Sequence, residues 1–130
     1  MSSIPSELKY TKEHEWARRR EDGKVVIGIT DYAQDSLGDI TYLELPAAGT
    51  EVRAGIECGV VESVKTFSDL NAPISAVVAE TNTALDGAEG TVNESPYEDG
   101  WLFVVELADE SEWEGLLSAD DYATIVAAES

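Results

Sequence analysis

Glycine, proline or a small polar cluster interrupts this chain every few positions, so its apolar residues fall into strand-length runs. Val25–Thr30 (VVIGIT) is β-branched and follows the turn-forming Glu21-Asp22-Gly23. Asp31 then reads as the N-cap of a short helix over Tyr32–Leu37, closed by Gly38. Ile40–Leu45 resumes strand character and stops at Pro46. Val52 to Val64 alternates loosely, Ile74–Ala79 and Trp101–Leu107 are further strands, and Asn82, Gly87 and Gly90 mark a loop-rich stretch. Ser111–Leu117 and Ala119–Ala127 have helical spacing, with Ser111 and Ser118 as caps. Short strands, frequent turns and small helices predict one mainly β domain, a compact sandwich or barrel. The 130 residues suffice for a modest single core.

Charge narrows the partners. Twenty-seven acidic residues against eight basic ones give a formal charge of −19, a field that repels phosphate backbones and anionic lipid. Nucleic acid and membrane partners are therefore not expected, and no apolar run is long enough to cross a bilayer. Met1 to Tyr10 lacks a signal-peptide pattern, which predicts a cytoplasmic chain. The acids are interleaved with apolar residues and lysine is scarce, a composition that fits very high salt, where the Debye length falls to about 3 Å. The expectation is a halophilic source. One cysteine, Cys58, and one histidine, His14, leave no disulfide, no paired metal site and little scope for nucleophilic catalysis.

A faint internal echo links Thr41–Leu45 and its following turn to Ser75–Ala79 and Asn82, and centres on residues 62–68. There Lys65, one of only four lysines, lies within the apolar run of Gly59-Val60-Val61-Glu62-Ser63-Val64-Lys65-Thr66-Phe67-Ser68-Asp69-Leu70. On composition alone it reads as a solvated strand lysine. Turn chemistry gives no bend at Val64-Lys65, because neither residue is Gly, Asn or Asp, so pattern reasoning runs a strand straight through.

Five blocks nevertheless resemble, in order and spacing, those of the glycine cleavage H-protein family. They are Tyr10-Thr11-Lys12-Glu13-His14-Glu15-Trp16, Gly28–Asp39 (GITDYAQDSLGD), Glu62-Ser63-Val64-Lys65 with Ser68-Asp69, Asn71-Ala72-Pro73-Ile74-Ser75, and Ser95-Pro96-Tyr97-Glu98-Asp99-Gly100-Trp101-Leu102. Biotin carriers usually flank their lysine with methionines, and lipoyl domains of 2-oxoacid dehydrogenases usually present Asp-Lys-Ala. Val64 and Thr66 match neither, though Thr66 also departs from the alanine most H proteins have there. The resemblance implies a barrel-sandwich hybrid of the lipoyl/biotinyl-carrier type, with short helices including one at the C-terminus. Within a single domain over 1–130, it implies a lipoyl-binding core over 24–106, an attachment hairpin around 62–68 and a C-terminal helical segment over 107–130. With the charge, it points to an H protein from a halophilic archaeon.

The resemblance further implies (R)-lipoate held covalently on Lys65, and a carrier without catalysis of its own. Its partners would be the pyridoxal-phosphate-dependent glycine decarboxylase (P protein), the folate-dependent aminomethyltransferase (T protein), dihydrolipoyl dehydrogenase (L protein) and a lipoate-attaching enzyme. Glu15 and Asp69 match the family's acids that hold the cargo amine in a cleft; in a chain with 27 acids each also reads as a solvated surface carboxylate. Glu13 replaces a usually small or hydroxylated residue. Glu62 is either a recognition residue for the modifying enzyme or a plain strand acid. His14 reads as orienting or packed, Cys58 as a small core residue, and Trp16, Trp101 and Trp113 as packing groups. Arg18-Arg19-Arg20 balances nearby acids or makes a docking contact. Two other readings stand beside the carrier: a lipoyl relay donating to other enzymes, and an unmodified binding domain.

Overall fold

The structure, a computed structural model, describes residues 3–129, so Met1, Ser2 and Ser130 of the segments read above lie outside the described residues. In chain order come β1 Lys9–Tyr10, β2 Glu15–Arg19, β3 Val25–Ile29, α1 Asp31–Leu37, β4 Ile40–Glu44, β5 Glu51–Val52, β6 Glu57–Ser63, β7 Phe67–Asn71 and β8 Ala76–Thr81. A 3-10 turn at Thr83–Leu85 leads to α2 Thr91–Glu94, β9 Phe103–Leu107, α3 Glu110–Glu114 and α4 Ala119–Glu129. Two antiparallel sheets result, one in the order β1-β2-β3-β9-β8-β5 and one in the order β4-β6-β7. This is the mainly β architecture expected of a barrel-sandwich hybrid. The two strands of the internal echo, β4 and β8, lie in different sheets, and the turn between β6 and β7 stands at its centre.

The unbroken apolar run of β3 has a physical reason: both faces of the larger sheet are covered. Val25, Ile27 and Ile29 face the main core with Val61 and Leu70 of the smaller sheet. Val26 faces a second cluster on the back, with Leu8, Tyr10, Trp16, Val104 and Tyr122. Tyr122 comes from α4 and stacks on Tyr10 with ring centroids 4.6 Å apart and planes 4° from parallel. Trp16 lies so close over Gly28 that a Cβ there would stand 2.6 Å from the indole. Trp101 packs against the back cluster and Trp113 against the main core, the packing roles expected of them.

Three local readings change. Thr30, not Asp31, caps α1, its Oγ1 accepting from the Ala33 amide; Asp31 already belongs to the first turn. Asp109, not Ser111, caps α3, whereas Ser118 does accept from the Asp121 amide at the start of α4. An aspartate two residues earlier won at α3 because its carboxylate accepts from both the amide and the hydroxyl of Ser111. Finally, β6 ends at Ser63 and β7 begins at Phe67, so no strand passes through Lys65.

Candidate functional site

What bends the chain at Lys65 is Ser63. The Ser63 amide donates to the Thr66 carbonyl at 2.8 Å, and its hydroxyl donates to the same oxygen at 3.2 Å. That hydroxyl also accepts from the amides of Thr66 at 3.2 Å and Lys65 at 3.4 Å. A serine side chain here takes over the hydrogen bonding for which glycine or asparagine turns are usually selected. A second brace comes from the Val64 amide, which donates to the Asp39 carbonyl at 3.0 Å. The signal was local, a serine two residues before the lysine, but its meaning depends on the turn it makes.

The lysine stem rests on α1. Gly38 ends that helix with φ +82°, a conformation that disfavours a side chain, and a Cβ there would lie 3.4 Å from Lys65 Cε. The stem thus crosses bare backbone. Among the described residues no carboxylate pairs with the Lys65 ammonium. Val64 and Phe67 beside it are 68% and 67% exposed, so the tip offers an apolar bed rather than a counter-ion. On the outer face of the smaller sheet Glu62 stands in register between Tyr42 and Phe67, all three exposed.

The other acids separate sharply. Glu15 is buried, 3% exposed, at the start of β2. Its carboxylate accepts from Thr11 Oγ1 at 2.6 Å and from the backbone amide of Asn71 on β7, so it reaches from one sheet to the other. Burial, with the charge of Glu13 adding to it, pushes its pKa up to about 7; the two hydrogen bonds oppose the rise. Asp69 is exposed, and its carboxylate stands close enough to that of Glu57 to raise the Glu57 pKa. The structure therefore joins Asp69 to Glu57, and joins Glu15 to the same strand only two residues further on. Burial and the Glu15 charge push the Cys58 thiol up to about 12, leaving it a poor nucleophile.

Sequence reading missed what holds Glu15. Residues 11–15 make a tight turn: the His14 amide donates to the Thr11 carbonyl at 3.1 Å, and the Glu15 amide to Thr11 Oγ1 at 3.2 Å. His14 has φ +73°, an uncommon conformation for a non-glycine residue. Its ring meets Tyr122 Oη at 2.7 Å through Nδ1 and Glu129 at 3.0 Å through Nε2, which makes it orienting and packed at once. The arginine island turns inward to its acids: Arg19 forks onto Glu110 and Arg20 onto Asp22 and Glu80, while Arg18 donates to the Tyr97 carbonyl. Among the described residues no group of His, Cys, Asp and Glu is arranged to hold a metal ion, and no helix is long and apolar enough to cross a membrane.

Comparison with known proteins places this geometry. Residues 8–129 match the family model described as glycine cleavage H-protein. A glycine cleavage system H protein of Micrococcus luteus is 56% identical over 125 residues, covering 95% of this chain and 98% of the relative. One from an Enterobacter species is 49% identical, covering 97% and 98%. The crystal structure of a glycine cleavage system H protein from Mycobacterium marinum superposes with a TM-score of 0.83 at 40% identity, covering 93% of this chain and 97% of that one. With the family match running from β1 to the end of α4, the chain belongs to the glycine cleavage H-protein family.

Proposed function

We propose that this chain is the lipoyl carrier of the glycine cleavage system, with Lys65 as its attachment site. The observation that carries the reading is the presentation of Lys65: a stapled two-strand tip, an ammonium without a carboxylate partner among the described residues and a stem lying on the bare backbone of Gly38. Those features fit an acylated lysine. Amide formation removes the charge, so the arm keeps no tie to a chain this acidic. When bound, the lipoyl group supplies a dithiolane that takes up the aminomethyl group of glycine and gives it on. The carrier would receive it from glycine decarboxylase, present it to aminomethyltransferase and be reoxidised by dihydrolipoyl dehydrogenase, after a lipoate-attaching enzyme has loaded Lys65. Tethering keeps the cargo at high effective concentration through successive encounters. In this reading residues 24–106 form the lipoyl-binding core and 107–130 the helical segment behind it, and the protein works in the cytoplasm.

The residues around the arm have distinct parts. Glu15 is the receptor for the cargo's ammonium. With its pKa near 7 it is only partly ionised at neutral pH when alone, and an ammonium beside it favours the carboxylate. Pairing is thus strongest above neutrality and weakens as pH falls. Asp69, exposed on β7, is a secondary attraction at the mouth, and Glu62 is a recognition residue for the modifying enzyme, a role supported by its exposure on the outer face beside the tip. The excess of 27 acids over 8 basic residues supports a halophilic source such as an archaeon; the relatives above are bacterial and carry no such argument.

Intact mass spectrometry of protein from its native host tests the reading. Wild type is expected to carry a lipoyl-sized increment that Lys65→Arg lacks. An unmodified wild-type mass, in cells that lipoylate other proteins, removes the carrier reading.

A further inference from the structure

Helix α4 lies on the back of the larger sheet, on the opposite side from the main core, yet one of its hydroxyls reaches the turn that carries Glu15. Tyr122 Oη stands 2.7 Å from His14 Nδ1 and 2.7 Å from Thr30 Oγ1. The hydrogen bonds form one directed chain when the imidazole is neutral. Glu129 accepts only, so His14 Nε2 carries the hydrogen and Nδ1 accepts from Tyr122; the tyrosine oxygen in turn accepts from Thr30, whose Oγ1 takes the Ala33 amide. Every donor in that chain has an acceptor.

Both ends of the chain lead to the arm. On one side, His14 holds φ +73° one residue before Glu15, and its carbonyl accepts from the Thr30 amide at 3.0 Å. A left-handed conformation is unfavourable for histidine and persists only where its surroundings hold it. The surroundings here are Tyr122 and Glu129 on α4, with the Tyr32 ring 4.9 Å away. On the other side, Thr30 caps α1, and α1 ends at the Gly38 backbone under the Lys65 stem. One hydroxyl ties the two together.

We propose that Tyr122 is a positioning residue for the carrier: through His14 it holds the Thr11–Glu15 turn in the shape that keeps Glu15 buried between the sheets as receptor for the cargo's ammonium. The proposal rests on the reading of Glu15 as that receptor. Loss of the hydroxyl alone frees His14 and lets the turn relax, admitting water to the carboxylate, while the phenyl ring still stacks on Tyr10.

Two measurements test it, on wild type, Tyr122→Phe, Glu15→Gln and the double variant, with thermal unfolding to confirm that each is folded. In the unmodified protein, carbon-detected NMR titration of Glu15 is expected to give a midpoint about one unit lower in Tyr122→Phe, since water relieves the burial that raises it. An unchanged midpoint overturns the proposal. In the lipoylated protein, the half-life of the aminomethyl cargo is read from released formaldehyde and ammonia; that loss consumes one water, breaks the carbon–sulfur and carbon–nitrogen bonds and leaves a thiol. Glu15→Gln is expected to shorten the half-life about tenfold and Tyr122→Phe several-fold, with the double variant no shorter than Glu15→Gln, the signature of one residue acting through the other. Multiplying effects, or no effect of Tyr122→Phe beside a large one of Glu15→Gln, overturn the positioning role and leave the receptor standing. No effect of Glu15→Gln removes both.

Discussion

The turn at Ser63–Thr66 and the turn at Thr11–Glu15 are built in opposite ways. The first leans on a single hydroxyl and two backbone hydrogen bonds, exposes Val64 and Phe67, and gives its cation no partner among the described residues. The second is held by Thr11 within, by Thr30 beside it and by α4 behind it, and it buries its carboxylate. A carrier needs that asymmetry. If Lys65 carries the arm and Glu15 receives its cargo, as proposed, the first turn leaves the arm free to swing into other proteins and the second offers the same resting place at each return. Mobility is cheap to build with a small staple. Pre-organisation requires packing from several directions.

The comparison is most easily broken from the back. Tyr122→Ala removes a fully buried ring stacked on Tyr10 and is expected to cost about 3–5 kcal/mol in urea unfolding. A loss below about 1 kcal/mol would mean that α4 merely rests on the sheet. Glu15→Gln sharpens the contrast through pH. The Glu15 pKa is raised from 4.5 to about 7, so the native state binds this proton more tightly than the unfolded state. Its contribution is favourable below about pH 4.5, is lost as pH rises toward 7, and levels off above that; the full swing is about 3 kcal/mol. Relative to wild type, Glu15→Gln should therefore gain stability at pH 8 that it does not gain at pH 4, measured by denaturant titration at both. Equal differences at the two pH values would show that the carboxylate is solvated.

At the other turn the effects are smaller. Ser63→Ala deletes the hydroxyl that serves two amides and one carbonyl, and about 1 kcal/mol is expected, with slower lipoylation in a reconstituted assay. Unchanged lipoylation with the full loss of stability would make Ser63 a structural staple only. Thr66→Ala should do least. Its hydroxyl makes a single 3.4 Å contact to the Phe67 carbonyl, so stability is expected to move by less than about 0.5 kcal/mol and lipoylation not at all. A large defect would show that the threonine has a role of its own.

Much of this was legible in the chain itself. Short β-branched runs between turn residues specify strands, because alternation and chain reversal are local properties of three to eight residues. The helix of residues 31–37 was visible too, bounded by the small polar residues before it and by Gly38. The cap was misplaced by one position, since Thr30 and Asp31 are both good caps and only the backbone angle at Thr30 (ψ 166°) separates them. Lys65 was locatable by family resemblance alone; turn rules read through it because a serine side chain replaces the backbone conformation those rules look for.

The sequence by itself determined the strand-rich architecture and the short helices, set by neighbours a few residues apart. Only the tertiary structure decided which acid is buried. Glu15 and Asp69 look alike in a chain with 27 acids, yet one is enclosed between two sheets and the other stands beside Glu57 in solvent. The tie from Tyr122 to His14 spans 108 residues, and no local pattern announces it. Burial and long-range hydrogen bonds depend on how the sheets stack and where the last helix docks, and those are properties of the whole fold.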